Sequence, residues 1–280
     1  MKILKPYIVE LAKTLSGHWY NVWNLKAYFR INLNGKKQFS KEYDAITGFI
    51  GREKGKFLGT FPSSTTILNA YPQSAHLTKW IAEQGWHESQ RIKSEAGERG
   101  TKIHLASELL EEGGEISEED YSIEEWWKIS TFVNWFNFYQ PKLIIKEFPV
   151  FSSKGRYAGR LDRIYNIQGE ITVLDLKSSS SIHENFPLQF ASYAKAVEET
   201  TDLKITQTAC LQVGAQNKDG YRYIIYPEWK DHYKVFENVR KVWQYDYFDS
   251  KKNPKKPPVL ELPSTLKLNI PEGVSVENAK

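Results

Sequence analysis

Ile171-Thr172-Val173-Leu174-Asp175-Leu176-Lys177 is the stretch on which the reading of this chain turns. A short apolar run that follows a Gln/Gly turn and precedes the serines at 178 to 181 has the length and flanks of a strand. Its period of two sets Asp175 and Lys177 on one face and Thr172, Leu174 and Leu176 on the other. A charged pair therefore closes an otherwise apolar strand. The strand candidate before it, Tyr157 to Asn166, holds Asp162 inside Gly159-Arg160-Leu161-Asp162, and the turn between the two is short enough for a hairpin that brings Asp162 to Asp175. At an assumed separation of about 4 Å and an effective dielectric near 20, two carboxylates repel by roughly 4 kcal/mol, so a proton or a cation is expected between them.

Working outward, Leu143 to Phe151 adds a third strand to an antiparallel meander and carries Glu147. On the other side, Phe186 to Glu199 reads as a helix, with Asn185 as cap and Pro187 in the first turn, where its missing N–H is harmless. Gln189 and Tyr193, four residues apart, share a face of it. Ile205 to Val213 and Tyr221 to Tyr226 flank a polar loop ending in Asp219-Gly220. A last helix places Phe236, Val239, Trp243 and Tyr247 at helical intervals.

Upstream, Glu95 to Glu112 spaces Ile103, Ala106, Leu109 and Leu110 as an amphipathic helix ended by Gly113-Gly114, and it carries His104. Ser122 and Glu125 form a capping-box pattern before an aromatic-rich helix from Trp126 to Tyr139, expected to be apolar on nearly all faces. Phe61-Pro62-Ser63-Ser64-Thr65-Thr66-Ile67-Leu68 reads as a turn entering a helix. The segment from Ala27 to Gly51 alternates around Asn34-Gly35, a hairpin signal. From Lys251 onward prolines and lysines predict an irregular tail. The order is α/β (α+β), with an N-terminal β-rich extension over 1–60, a core over 61–250 with a helical insertion near 95–140, and a Pro/Lys-rich tail over 251–280.

The composition sets bounds on this. A chain of 280 residues with 40% hydrophobic residues can bury a sizeable core. Cys210 is the only cysteine, which excludes an intrachain disulfide, a Cys-based zinc site and a four-cysteine cluster. The net charge of +4 tolerates a polyanionic partner without demonstrating one. No run reaches the roughly 18 apolar residues of a membrane span, so a cytoplasmic protein without membrane association is expected.

Two carboxylates with an imidazole from His104 alongside suit a hard divalent ion, Mg²⁺ or Mn²⁺. Such ions activate water and offset the charge that builds on a phosphoryl group, and Lys177 beside them can orient the water and compensate the same charge. Each residue alone has a plainer reading. A lone helical histidine is usually a core or surface residue, Glu108 is usually a solvated charge, and the aromatic helix is usually core rather than a platform for bases. The weight lies in the conjunction.

Taken together, Arg99-Gly100-Thr101 with His104, Gly159-Arg160-Leu161-Asp162, Asp175-Leu176-Lys177-Ser178 and Gln189 to Tyr193 resemble the RecB-like exonuclease branch of the PD-(D/E)XK nucleases. Pro62 to Leu68 looks like the Pro-Ser-Val-Thr-x-Ile-Leu stretch of phage exonucleases and the mitochondrial genome maintenance exonuclease group, with Ser64 in place of the usual valine. The resemblance spans roughly residues 60 to 247. It implies a restriction-endonuclease-like core, a central mixed β-sheet flanked by helices. It also implies catalytic Asp162, Asp175 and Lys177, and a metal held by His104, Asp162, Asp175 and the Leu176 backbone carbonyl, with Glu147 as an additional acid at its edge. Gln189, Tyr193 and Ser178 would meet DNA. The implied activity is metal-dependent DNA digestion from ends, often of single strands, in replication, recombination or repair, in a bacterial or phage-encoded protein. An endonuclease of the same fold and a non-catalytic DNA-binding module are the alternatives.

Overall fold

The computed structural model describes residues 2–4, 7–14, 17–25, 29–31, 37–38 and 54–246. The predicted Asn34-Gly35 turn and the Pro/Lys tail lie outside them. The strands that flank that turn, β4 (Phe29–Ile31) and β5 (Lys37–Gln38), do pair antiparallel, with β1 (Lys2–Leu4) on the other side of β4. A second antiparallel sheet joins β2 (Tyr7–Thr14), β3 (Gly17–Leu25) and β6 (Lys54–Pro62) in the order β2-β3-β6.

The helices α1 (Ser64–Leu68), α2 (Ala75–Gln84), α3 (Trp86–Glu111) and α4 (Ile123–Tyr139) follow. The capping box at Ser122 is formed: its hydroxyl accepts from the Glu125 N–H, and the Glu125 carboxylate accepts from the Ser122 N–H. α3 begins nine residues before the predicted start. Its first turns bury almost nothing, and Arg91 holds them by pairing with Glu88 and Glu95, so no apolar stripe marks them. α2 buries no residue at all, and apolar periodicity misses it for the same reason. The expectation that the aromatic helix is covered all round is corrected. Ile129, Phe132 and Trp135 of α4 enter the core, but Phe138 is 74% and Trp127 42% exposed.

The central sheet contains β7 (Lys142–Ser152), β8 (Tyr157–Ile167), β9 (Glu170–Lys177), β10 (Gln207–Val213) and β11 (Tyr221–Tyr226), in the order β11-β10-β9-β8-β7. The predicted meander β7-β8-β9 is antiparallel. β10 then lies parallel to β9, which requires a crossover, and α5 (Phe186–Thr200) supplies it. β11 returns antiparallel, which makes the sheet mixed, and α6 (Trp229–Gln244) closes the described chain.

Side chains of β9 divide as the pleat requires. Val173 joins a buried cluster with Ala191, Ala194 and Val197 of α5 and Phe236 of α6, while Leu174 and Leu176 join Ile103 and Ala106 of α3 and Phe132 and Trp135 of α4. Helices thus cover both faces of one five-stranded sheet, an α/β architecture. β3 and β6 are built into this core: Trp19 and Val22 of β3 and Phe61 of β6 are buried in the same cluster as Val150 and Tyr157. The Pro62 to Leu68 segment is the junction. The Ser63 hydroxyl caps α1 at the Thr66 N–H, Thr66 exchanges hydrogen bonds with the His18 backbone, and Ser192 of α5 donates to Ser64. No helix among the described residues is long and apolar enough to cross a membrane.

Candidate active site

Three neighbouring strands each carry one acid in a row. In the β7-β8 ladder Lys146 faces Arg163 and Phe148 faces Leu161, so Glu147 sits across from Asp162. The β8-β9 ladder ends with Arg163 facing Leu174, and continuing its register sets Asp162 across from Asp175. The Asp162 Oδ2 accepts a hydrogen bond from the Leu176 N–H at 3.0 Å, which fixes this carboxylate against the end of β9.

His104 descends on this row from α3. Its Nε2 lies 2.9 Å from the Leu176 carbonyl, and since a carbonyl only accepts, Nε2 is the protonated nitrogen. Nδ1 is then left with a lone pair 3.5 Å from Asp162 Oδ2. Two electron-rich atoms at that spacing fit a shared cation. His104, Glu147 and Asp162 each offer a ligand atom, and these atoms lie within 4.8 Å of one another. One imidazole nitrogen, carboxylate oxygens and a nearby backbone carbonyl form a donor set suited to Mg²⁺ or Mn²⁺. Glu147, read from the sequence only as an acid at the edge, belongs to the tight group. Its backbone is left-handed (φ 45), a conformation few residues other than glycine adopt.

Asp175 is placed differently. It is 2% exposed, and its carboxylate is ion-paired with the Lys177 ammonium, with the Asp162 charge acting on it. Burial and the Asp162 charge push the Asp175 carboxyl up, against the pull of Lys177. Burial pulls the Lys177 ammonium down, but the charges of Asp175 and Asp162 outweigh it and hold its pKa above the ordinary lysine value. Lys177 is therefore a cation here, over the faces of Phe186 and Phe190 at 4.9 and 5.8 Å. It can donate to an anionic oxygen and offset its charge. Burial raises Glu147 to about 7, helped by the nearby charges of Asp162 and Glu108.

Gln189 and Tyr193 meet as their spacing predicts, Gln189 Nε2 donating to the Tyr193 hydroxyl at 2.9 Å. Tyr193 is 5% exposed, so it reaches the site through Gln189. Gly159 explains why β8 carries a glycine three residues before Asp162: a Cβ there would lie 2.5 Å from the Tyr193 ring. Ser178 follows Lys177 and approaches Gly100 of α3.

Two contributors escaped sequence reasoning. Arg160, inside the quoted motif, lies 3.7 Å from Glu147 and offsets part of its charge. Tyr20, on β3 of the N-terminal sheet, is raised by burial and feels both Arg160 and Glu147. The N-terminal segment thus borders the site, which no local signal announces, since more than a hundred residues separate Tyr20 from both. Neither a scan against protein-family models nor a search of curated proteins finds a match to this chain.

Proposed function

We propose that this protein is a divalent-metal-dependent deoxyribonuclease that hydrolyses phosphodiester bonds from DNA ends, with single strands as its substrate. The observation that carries this is the convergence of His104 from α3 with Glu147 and Asp162 from two adjacent strands, beside the Asp175–Lys177 ion pair of the third. His104, Glu147 and Asp162 would hold the ion, with Asp175 and the Leu176 carbonyl next to them. When bound, the ion supplies an activated water and neutralises charge at the phosphoryl group.

The chain's own residues do the remainder. Lys177, kept protonated by Asp175 and Asp162, donates to a phosphoryl oxygen as negative charge grows there. Asp175 fixes where that ammonium points. Gln189, braced by Tyr193, offers its amide to the strand. The sequence resemblance to end-dependent nucleases supports the exonuclease assignment, and the mild positive balance of the chain suits a polyanion.

End-labelled single-stranded DNA incubated with Mg²⁺ or Mn²⁺ tests the proposal. Release of nucleotides is expected, with Asp175→Ala and Lys177→Ala each slowing it by roughly a hundredfold or more. A covalently closed circle should resist. Circles cut as fast as linear strands would convert the assignment to an endonuclease, and DNA binding with no turnover in either ion would leave only a binding module.

A further inference from the structure

Next to the end of β9, where Ser178 follows Lys177, a cavity of about 230 Å³ is lined by Ala96, Gly97, Arg99, Lys128, Ser178 and Ser179. Its walls come from three elements: α3, α4 and the loop that leaves β9 directly after Lys177. The loop is pinned from two directions. Lys128 Nζ donates to the Ser178 carbonyl at 3.0 Å, and Gln212 Nε2 donates to the Ser179 carbonyl at 2.7 Å. Gly100 lets α3 come close, because a Cβ there would stand 3.2 Å from Ser178 Oγ.

The donors in this cavity exceed the acceptors. Lys128 is largely buried, with its side chain 13% exposed, and spends two of its three N–H groups, on the Ser178 carbonyl and on Glu124 Oε1 at 2.7 Å. The Arg99 side chain has no hydrogen bond or ion pair among the described residues, and its charge reaches Glu124. The Ser178 hydroxyl is likewise without a hydrogen bond among the described residues. Glu124, the acid that Lys128 pairs with, is 54% exposed. A forked guanidinium, an ammonium with a proton to spare and a hydroxyl at the mouth of a small cavity match a tetrahedral oxyanion.

We infer that this cavity seats a backbone phosphate of the DNA strand a short step from the bond being cut, with Arg99, Lys128 and Ser178 as its donors. The inference rests on the nuclease reading above and adds a substrate-positioning site to it. Arg99 precedes His104 by five residues on one helix, roughly 7.5 Å along its axis, and Ser178 follows Lys177 directly, so one strand can reach both places. Seated there, a phosphate fixes which linkage reaches the ion. Glu124 competes for Lys128 until the strand arrives.

Binding of fluorescent oligothymidylate to the full chain, with chelator present so that nothing is cleaved, separates this site from catalysis. Arg99→Ala is expected to weaken binding roughly tenfold and to reduce the slope of log affinity against log salt by about 0.7, the loss of one neutralised phosphate. Glu124→Gln is expected to tighten binding, an outcome that a merely structural role for this region would not produce. A single methylphosphonate linkage moved along the strand should cost affinity at one position in the wild type and nothing at that position in Arg99→Ala. A wild type that binds and digests DNA while Arg99→Ala keeps its affinity and salt slope overturns the cavity assignment alone. A wild type that neither binds nor digests overturns both it and the nuclease reading. Methylphosphonate sensitivity at no position would mean that the cavity takes a free anion instead of a strand, and would also overturn the inference.

Discussion

Glu147 shows how much strain a single residue of this site carries. A left-handed glutamate costs roughly 1–2 kcal/mol, and this one is pressed against Asp162 as well. A carboxyl whose folded-state pKa lies above its unfolded value holds its proton more tightly when folded. Its contribution to stability is complete below about pH 4 and is lost as pH rises through about 7. In chelator, the urea midpoint should therefore fall between about pH 5 and pH 8, and Glu147→Gln should flatten that decline. A midpoint that instead climbs over this range would contradict the arrangement of acids described above. Gly159 is the opposite case, a residue defined by what it lacks. Gly159→Ala should cost about 1–3 kcal/mol and loosen Gln189 through the displaced Tyr193 ring, read as a lower midpoint together with weaker DNA binding.

At the scale of elements, the position of α3 decides whether His104 reaches the sheet. It is locked by a buried ion pair: Arg163 of β8 donates to Glu111 at 2.9 Å and to Ser107 Oγ at 2.5 Å, while the Tyr165 hydroxyl also bonds Glu111. Both charged side chains are almost fully buried. Removing one partner strands a charge, so Glu111→Gln should destabilise by about 3–5 kcal/mol in denaturant titration, and pairing it with Arg163→Met should recover most of the loss. An equal loss in the double variant would show that packing, not the ion pair, holds α3. β7, β9 and α5, whose apolar faces enter the core, were legible in the sequence to within a residue or two. Among the helices, α2 and the start of α3 were missed; they are held by caps and exposed ion pairs and leave no apolar rhythm to read, and β1, β2, β3 and β6 were not read individually either.

The whole molecule has one internal reporter of its integrity. Cys210, on β10 across from Asp175, is fully buried, and burial first and the Asp175 charge second push its thiol up to about 12. A thiol reagent at neutral pH should leave it untouched until the fold opens. Mn²⁺ at a hundred times its dissociation constant stabilises a folded protein by about 2.7 kcal/mol, which should slow labelling roughly a hundredfold when reclosing is fast. Asp162→Asn should remove most of that protection. Labelling that ignores Mn²⁺ in the wild type would count against a metal at this site.

The local pattern of residues by itself determined the strands of the central sheet, the amphipathic helices that cover it and the facing of Asp175 and Lys177, because periods of 2 and 3.6 are written in the order of side chains. It also brought Asp162 to the end of β9, since a hairpin register is a short-range property. Only the tertiary structure decided that His104 meets Asp162, 58 positions further along the chain, that Glu147 joins them, that Tyr20 borders the site, and that Arg99 and Lys128 line one cavity with Ser178. Those placements depend on how helices lie across a sheet. That angle is set by the summed packing of residues far apart in sequence, and no local window contains it.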